Sequence, residues 1–333
     1  MEMEQDHHQW QMGHSVVRFA GAQVAVTHDV SKNVETLKRA IDWAGENEVD
    51  YLVTPEGALS GYNTNFADSE EQVTNLHSAE REIVNYAASK HVGLCLGTFW
   101  VEDELIGKIK RNQARYYDQT GEHRGSYNKI MTIPGDGAVL PGMFVDAGSR
   151  TETGDYNFGH PTIDLMPTDD PQATFSVSTL ICNDVYGETQ KGESIARRAC
   201  YSMMNRPVRC SLVLHPTYGF RGEDYAIEGQ EFKMAEAMRN WHTSTIQQLS
   251  YFTEVSFFCV ESASFQSGEA STEISNTPSG AVEKGEWVVT VPSGSEQFFF
   301  HDFMLPVVLP AETSTNPSRL AMMEANNPAP IEE

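Results

Sequence analysis

Apolar and polar positions along the chain change their period several times, and these changes predict alternating strands and helices. Residues 16–26 form an apolar, β-branched stretch that is typical of a strand. The following stretch has helical spacing, because Val34, Leu37 and Ile41 fall on one face of a helix. Ser31 is the candidate N-cap residue. The pattern therefore predicts a strand followed by an amphipathic helix.

A second strand and helix follow in the same way. Residues 51–54 are apolar and lead directly into Pro55-Glu56. Ser69 and Gln72 have the spacing of a capping box, which indicates that a second helix begins there. Residues 92–100 then return to the pattern of a buried strand.

The rest of the chain continues the alternation and ends in hairpins. The predicted strands are 114–118, a strand leading to Lys129, 174–182, 211–215, 256–261, 281–282, 287–291 and 297–303, and the predicted helices are 188–205 and 224–249. Strand–helix–strand units followed by hairpins predict an α/β layered sandwich. The chain has neither a GxGxxG nor a Walker A sequence, so a nucleotide-binding fold is not favoured.

The composition of the two ends sets the predicted domain limits. Residues 1–14 are polar and are expected to form a flexible tail, and residues 310–333 are rich in Pro, Asn, Ser and Glu. The second tail is expected to be flexible or ordered only against a partner subunit. No linker or repeat interrupts residues 15–309, so we expect one domain there.

Charge and hydropathy exclude several classes of partner. The 333 residues include 23 Lys and Arg against 47 Asp and Glu, for a net charge of −24. Such a charge disfavours nucleic acid and anionic membranes as partners. With 40% hydrophobic residues the chain can form a large core, yet it has no apolar run of the roughly 18 residues that a membrane helix needs.

The cysteines indicate a reducing compartment. There are five of them and none has CxxC spacing, so we expect free thiols in a cytoplasmic protein and no zinc site. The N-terminal residues lack an apolar segment, so no secretory signal is expected.

Three residues with reactive or charged side chains stand near the ends of apolar stretches. Glu56 lies in LVTPEGALSGY, Lys129 in YNKIMTIPGDG and Cys182 in TLICNDVYGE. Taken singly, each has a structural explanation: a solvated loop glutamate, a surface lysine and a buried thiol. Together, a thiol, a carboxylate and an ammonium are the groups that covalent hydrolysis of a carbon–nitrogen bond requires.

The three segments, in this order, resemble the glutamate, lysine and cysteine blocks of the nitrilase superfamily of carbon–nitrogen hydrolases. The resemblance extends over residues 16–305 and includes LVLHPT, FFCVESA and a closing hairpin in NTPSGAVEKGEWVV. It implies a four-layer αββα sandwich with a Glu56, Lys129 and Cys182 triad. It also implies a homodimer or larger homo-oligomer and a reaction without metal or organic cofactor.

The resemblance also implies roles for the site residues. Glu56 would take the proton of Cys182, while Lys129 and the backbone N–H of Asn183 would stabilise the negative charge that develops on the substrate. Many family members have a second glutamate between the lysine and cysteine blocks. No glutamate follows Lys129 closely here, so Asp136 is the candidate second acid, with Glu152 more distant.

These features lead to an expected function. The chain is expected to be an amidase that releases ammonia from a small carboxamide through a thioester. The alternatives are a nitrilase or an N-carbamoyl amide hydrolase with the same triad, or a binding or scaffold protein that has lost activity. Candidate residues of the substrate pocket are Tyr62, Tyr186, His215 and Tyr218. His215, which ends a predicted strand, has a structural role as its alternative.

Overall fold

Two six-stranded sheets, with two helices beside each, make up the computed structural model of this chain. The structure describes residues 11–62, 66–104, 107–132, 162–188, 194–204, 210–225 and 228–309. In chain order, the first sheet contains β1 (Gln11–Gln23), β2 (Tyr51–Val53), β3 (Gly93–Glu104), β4 (Gly107–Tyr117), β5 (His123–Asn128) and β12 (Gln297–Leu309). The second contains β6 (Thr162–Leu165), β7 (Phe175–Thr179), β8 (Leu212–Thr217), β9 (Ser256–Glu261), β10 (Ser279–Glu283) and β11 (Glu286–Val291).

Both sheets have parallel strands at their centres and antiparallel strands at their edges. The spatial orders are β12-β1-β2-β3-β4-β5 and β11-β10-β9-β8-β7-β6. Strands β1, β2 and β3 run parallel, and so do β7, β8 and β9. The carboxyl ends of parallel strands meet at one edge of a sheet, which is where α/β proteins place their ligands.

Alternation along the strands divides the apolar residues among three cores. In β8, for example, Leu212 and Leu214 face the core between the sheets, whereas Val213 faces the core under the helices. Helices α1 (Val30–Glu46) and α2 (Glu70–Ser89) cover the first sheet, and α3 (Ile195–Met204) and α4 (Glu231–Thr253) cover the second. The predicted αββα sandwich is therefore confirmed.

Most predicted elements are present, with differences at their ends. The capping box of Ser69 and Gln72 is confirmed at the start of α2. The predicted cap at Ser31 is wrong: the Asp29 side chain accepts hydrogen bonds from the backbone N–H groups of Ser31 and Lys32 and is the N-cap of α1. Asp29 lies two positions before Ser31, and both residue types favour the N-cap position, so the local pattern alone does not decide between them.

Two helices begin later than predicted. Glu188 forms a β-bridge with Ser194, so α3 starts only at Ile195. Before α4, Asp224 ends a short 3₁₀ turn and accepts a hydrogen bond from the Arg221 backbone N–H. Strand β6 was not predicted, since its four residues carry too little pattern to be recognised.

The strand pair β1–β12 lies at an edge of the first sheet. Strand β1 begins at Gln11, which pairs with Leu309, so the strand starts within the segment predicted as an N-terminal tail. Residues 1–10 and 310–333 lie outside the described part of the chain. Among the described residues, no helix combines the length and the apolar character needed to cross a membrane.

Candidate active site

A buried ion pair joins two of the three predicted site residues. The Nζ atom of Lys129 lies 2.7 Å from Oε1 of Glu56, and both side chains are fully buried. Glu56 follows β2 and Lys129 follows β5, so both are held at the ends of strands of the first sheet. Two opposite charges removed from water require close pairing and further hydrogen bonds, because an unpaired buried charge is costly.

The Glu56 carboxylate receives those further hydrogen bonds from both sheets. The Nδ2 atom of Asn112, on β4, donates to Oε1 at 2.7 Å. The backbone N–H of Tyr218, directly after β8 of the second sheet, donates to Oε2 at 3.1 Å. The carboxylate therefore lies where the two sheets meet, and its two oxygens are oriented by different layers of the sandwich.

Local backbone packing explains how Glu56 reaches this position. Gly97 of β3 passes so close to the turn that a Cβ atom there would lie 1.9 Å from the carbonyl oxygen of Pro55. Gly57 has a φ of +71°, which favours glycine, and lets the chain turn directly after the carboxylate. Both glycines thus fix the backbone that carries Glu56.

Cys182 occupies a strained backbone position between β7 and a short helical turn. The residue begins a 3₁₀ turn, Cys182–Asp184, and has a φ of +46°, which is uncommon for a residue other than glycine. It is partly exposed, unlike the ion pair beside it. A strained conformation at a reactive side chain is a frequent property of functional sites.

Opposing influences act on the Cys182 thiol. Burial among its neighbours raises the pKa of the thiol well above its usual value, and the Glu56 carboxylate raises it further. Lys129 and a hydrogen bond from the Tyr218 backbone N–H act in the opposite direction. The raised pKa favours the protonated thiol, and the Glu56 carboxylate is among the charged groups that act on it.

Asp184 connects the cysteine turn to the segment that carries Lys129. Its carboxylate accepts hydrogen bonds from the backbone N–H groups of Ile181, Ile130 and Met131 and from the Tyr127 hydroxyl. Burial raises the pKa of Asp184 to about 6, with the Met131 N–H as the largest opposing influence. Since Asp184 is two residues after Cys182 and its donors flank Lys129, it sets the distance between the two.

A second buried glutamate lies near the site, and the sequence analysis did not single it out. Glu261 is the last residue of β9 and is 1% exposed. Oε1 accepts hydrogen bonds from the Gly219 backbone N–H at 2.8 Å and from the Ser262 hydroxyl at 3.2 Å. A charged residue at the carboxyl end of an apolar strand is the same signal that indicated Glu56, and it could have indicated Glu261.

The four candidate pocket residues lie in two separate contacts. The rings of Tyr62 and Tyr218 stack with their centroids 4.5 Å apart. The Tyr186 hydroxyl lies 3.4 Å from Nε2 of His215. Asp136 and Glu152, the candidates for a second acid, lie outside the described residues.

His215 has a defined structural environment. Its Nδ1 atom lies 2.6 Å from the Leu180 carbonyl oxygen, which assigns the ring proton to Nδ1. Burial lowers the pKa of His215 to about 4, so the ring is neutral at physiological pH. Leu180 is two residues before Cys182, so this hydrogen bond supports the strand end that carries the cysteine.

The remaining cysteines are enclosed in the cores. Cys95 lies between the two sheets, and Cys200, Cys210 and Cys259 lie between the second sheet and its helices. Each is 0% exposed, whereas Cys182 is accessible. Accessibility is required for a cysteine to react with a substrate, so these four are core residues.

The fold and this cluster define an α/β sandwich with a carboxylate, an ammonium and a partly exposed thiol between its sheets. The sequence profile of the family described as carbon-nitrogen hydrolase matches residues 16–190, just over half of the chain. The chain belongs to the carbon-nitrogen hydrolase family. A comparison with curated protein sequences gave no match.

Solved structures show the same fold over nearly the whole chain. An amidase from Nesterenkonia sp. AN1, in a mutant bound to butyramide, is 18% identical with a TM-score of 0.57, covering 92% of this chain and 96% of its own. A second mutant of that amidase carries the acetamide moiety of fluoroacetamide on its active-site cysteine. Saccharomyces cerevisiae Nit3, in branch 10 of the nitrilase superfamily, is 15% identical with a TM-score of 0.59 and covers 96% of each chain. At these identities the likeness concerns the fold.

Proposed function

We propose that this chain is an amidase, which hydrolyses a small carboxamide to a carboxylic acid and ammonia through a thioester on Cys182. The observation that carries the proposal is the buried pair of Glu56 and Lys129, 2.7 Å apart, beside the partly exposed cysteine. A base, a cation and a thiol in one place are sufficient for acyl transfer without a metal.

In the first step, the thiol proton of Cys182 passes to Glu56 as the sulfur attacks the amide carbon. A carbon–sulfur bond forms, and the carbonyl oxygen takes the negative charge. Lys129 and the backbone N–H of Asn183 stabilise this oxyanion. Asn183 lies in the first turn of the helical segment, where the helix itself does not provide acceptors for N–H groups.

In the second step, the carbon–nitrogen bond breaks and the proton on Glu56 leaves with ammonia. Glu56 is then a carboxylate again and accepts a proton from water as the water attacks the thioester. The carbon–sulfur bond breaks, the acid is released, and Cys182 regains its proton. The sum is one amide and one water converted to one acid and one ammonia.

Ammonia release from a panel of carboxamides, nitriles and N-carbamoyl compounds tests this proposal. Wild-type protein is compared with Cys182→Ala and with the matched control Cys95→Ala, which removes a buried thiol between the sheets. We expect release from amides that Cys182→Ala abolishes and Cys95→Ala retains. Activity on nitriles alone would identify a nitrilase, and carbon dioxide with ammonia would identify a carbamoyl hydrolase. No turnover by any variant would favour the scaffold alternative.

Trapping the intermediate tests the thioester directly. Protein mixed with an amide that turns over and then rapidly acidified should carry the mass of the acyl group on the peptide that contains Cys182. An acyl group on any other residue, or none under conditions of rapid turnover, would contradict the proposed nucleophile.

The second sheet's helices supply the proposed subunit interface of a cytoplasmic homo-oligomer. Five large apolar side chains on α3 and α4 are about half exposed or more: Tyr201, Phe232, Trp241, Tyr251 and Phe252. Exposed aromatic residues on neighbouring elements are typical of interfaces. Sedimentation velocity should give at least a dimer, and a monomer at micromolar concentration would contradict this proposal.

A further inference from the structure

We propose that Glu261 is a positioning residue of this active site. It acts by its reach, meaning the side-chain length that brings its carboxylate to the Gly219 N–H, rather than by its charge. It anchors the segment after β8, so that the Tyr218 N–H is aimed at Glu56, which lies beside Cys182. The inference rests on the proposed function, in which these two residues exchange a proton.

Two consecutive backbone N–H groups after β8 donate to two different glutamates. Tyr218 N–H donates to Oε2 of Glu56 at 3.1 Å, and Gly219 N–H donates to Oε1 of Glu261 at 2.8 Å. Because adjacent peptide planes share one Cα atom, holding the second amide limits the orientation of the first. The Tyr218 N–H also acts to lower the pKa of the Cys182 thiol, so it influences both groups that exchange the proton.

Glu261 is itself held by hydrogen bonds at its backbone N–H and at both carboxylate oxygens. Its backbone N–H donates to the Ser279 hydroxyl at 2.9 Å. Oε2 accepts hydrogen bonds from the hydroxyls of Thr217, at 2.6 Å, and of Thr277. A carboxylate with this many donors has a single orientation, which suits an anchor and leaves no oxygen directed at a substrate.

A buried arginine completes the anchor. Nη1 of Arg221 lies 3.6 Å from Oε1 of Glu261, and both side chains are buried. The same guanidinium donates to the backbone carbonyl oxygens of Ser262 and Ser264. Arg221 therefore connects the segment after β8, to which it belongs, with the segment after β9. This connection lies beside the hydrogen bond from the Gly219 N–H to Glu261.

Several charged and titratable groups surround Glu261, and a substitution of Glu261 would change their electrostatic environment. Glu261 raises the pKa of Cys182 and that of Tyr186, and it acts in the same direction on Tyr218. Two cations face it, Arg221 and Arg239. The Cys182 thiol in turn faces Glu56 and Lys129.

Two substitutions separate reach from charge. Glu261→Asp keeps the negative charge but shortens the side chain by one methylene, so the carboxylate no longer reaches the Gly219 N–H. Glu261→Gln keeps the length and an amide oxygen for Gly219 N–H, while the hydroxyls of Thr217 and Thr277 can rotate to accept from the amide nitrogen. If the length of the side chain matters, Glu261→Asp should impair the site more than Glu261→Gln. If the charge matters, Glu261→Gln should impair it more.

The first measurement is the rate of Cys182 alkylation by iodoacetamide as a function of pH, read by mass spectrometry. This rate needs no substrate and follows the thiolate fraction. We expect the midpoint of Glu261→Asp to move to higher pH, because the Tyr218 N–H no longer stabilises the thiolate fully. We expect that of Glu261→Gln to move to lower pH, because a nearby negative charge is removed.

The second measurement is turnover of the carboxamide that the wild type hydrolyses. Glu261→Asp should lower kcat by about 10-fold or more with little change in KM, and Glu261→Gln should stay within about 3-fold of wild type. The control Glu80→Asp shortens another buried glutamate, which pairs with Arg115 on the other side of the first sheet. It should leave both the alkylation midpoint and kcat unchanged.

Low turnover by Glu261→Gln together with wild-type turnover by Glu261→Asp would overturn the inference, and so would wild-type midpoints in both variants. If Glu261→Asp does not fold, Thr277→Val replaces it, since it removes a donor to Oε2 while the carboxylate stays; it should shift the midpoint upward by less. A wild-type protein without amide turnover would refute the proposed function, while the alkylation midpoints would still decide the role of Glu261.

Discussion

Lys129 Nζ lies 2.7 Å from Glu56 Oε1, and neither side chain is accessible to solvent. The two residues are 73 positions apart and belong to strand ends of one sheet. Each charge is tolerated in the interior because the other is present, so the pair is a structural unit as well as a proposed part of the catalytic machinery.

Removing one partner should therefore cost more than removing both. Lys129→Met leaves the Glu56 carboxylate buried without its cation and is expected to lower the free energy of unfolding by about 3 kcal/mol. The double variant Glu56→Gln with Lys129→Met should recover most of that loss, and neither variant should release ammonia. Urea denaturation measures the free energies of unfolding of the two variants and of the wild type. A double variant no more stable than Lys129→Met would contradict this account.

Replacing Asp184 should loosen the connection between Cys182 and Lys129. Asp184→Asn turns an amide nitrogen towards backbone N–H donors that now bond to a carboxylate oxygen. At pH 8, above the pKa of about 6, the wild-type group is ionised, and we expect the variant to lose about 2 kcal/mol of stability. We also expect kcat to fall by about 10-fold or more.

The control for that variant is an aspartate of the protein surface. Asp302 pairs with Arg18 at the edge of the first sheet, and its side chain is 41% exposed. Asp302→Asn should change kcat by less than about 2-fold, because exposed ion pairs contribute little. Equal effects of the two substitutions would contradict a specific role for Asp184.

Adding a single methyl group at Gly97 should displace Glu56. The Cβ atom would lie 1.9 Å from the Pro55 carbonyl oxygen and 3.1 Å from the Glu56 Cα atom, both backbone atoms that cannot rotate away. We expect Gly97→Ala to destabilise the fold by about 2 kcal/mol or more and to remove most of the activity. Thermal unfolding and ammonia release measure these effects.

Gly13→Ala is the matched control in the same sheet. The three atoms nearest to its Cβ atom would be side-chain atoms of Leu309 and Val307, the closest at 3.3 Å, and these can adjust. It should change stability by less than about 1 kcal/mol and leave activity intact. Loss of activity in this variant would show that the effect of Gly97→Ala is not specific to the turn that carries Glu56.

The buried His215 should make the protein less stable in acid. Its pKa falls from 6.5 to about 4 on folding, so the folded state excludes a proton that the unfolded chain accepts. The associated stability is complete above pH 6.5 and is lost as the pH falls to about 4, amounting to about 3 kcal/mol.

His215→Asn tests that pH dependence. The Asn amide can still donate to the Leu180 carbonyl oxygen but cannot take up a proton in this range. Urea denaturation at a series of pH values should show a smaller loss of stability between pH 6.5 and 4 in the variant than in the wild type. Parallel curves for the two proteins would rule out His215 as the source.

Local patterns were sufficient for most of the elements. The apolar run in 256–261 predicted β9 at its observed limits, and the spacing of Ser69 and Gln72 predicted the start of α2. Both depend on residues close in sequence, where periodicity and capping act. The late starts of α3 and α4 depend instead on contacts such as the bridge between Glu188 and Ser194, which no local pattern encodes.

The sequence by itself determined the layered α/β fold and the identity of the three candidate residues, because strand periodicity and the motifs around Glu56, Lys129 and Cys182 are local properties. Only the tertiary structure decided which groups hold and orient these three side chains. The Tyr218 N–H reaches Glu56 from the other sheet, 162 residues away, and Glu261 fixes the next amide. Such contacts arise when two sheets pack face to face, so they depend on how distant strands come together rather than on any segment's own pattern.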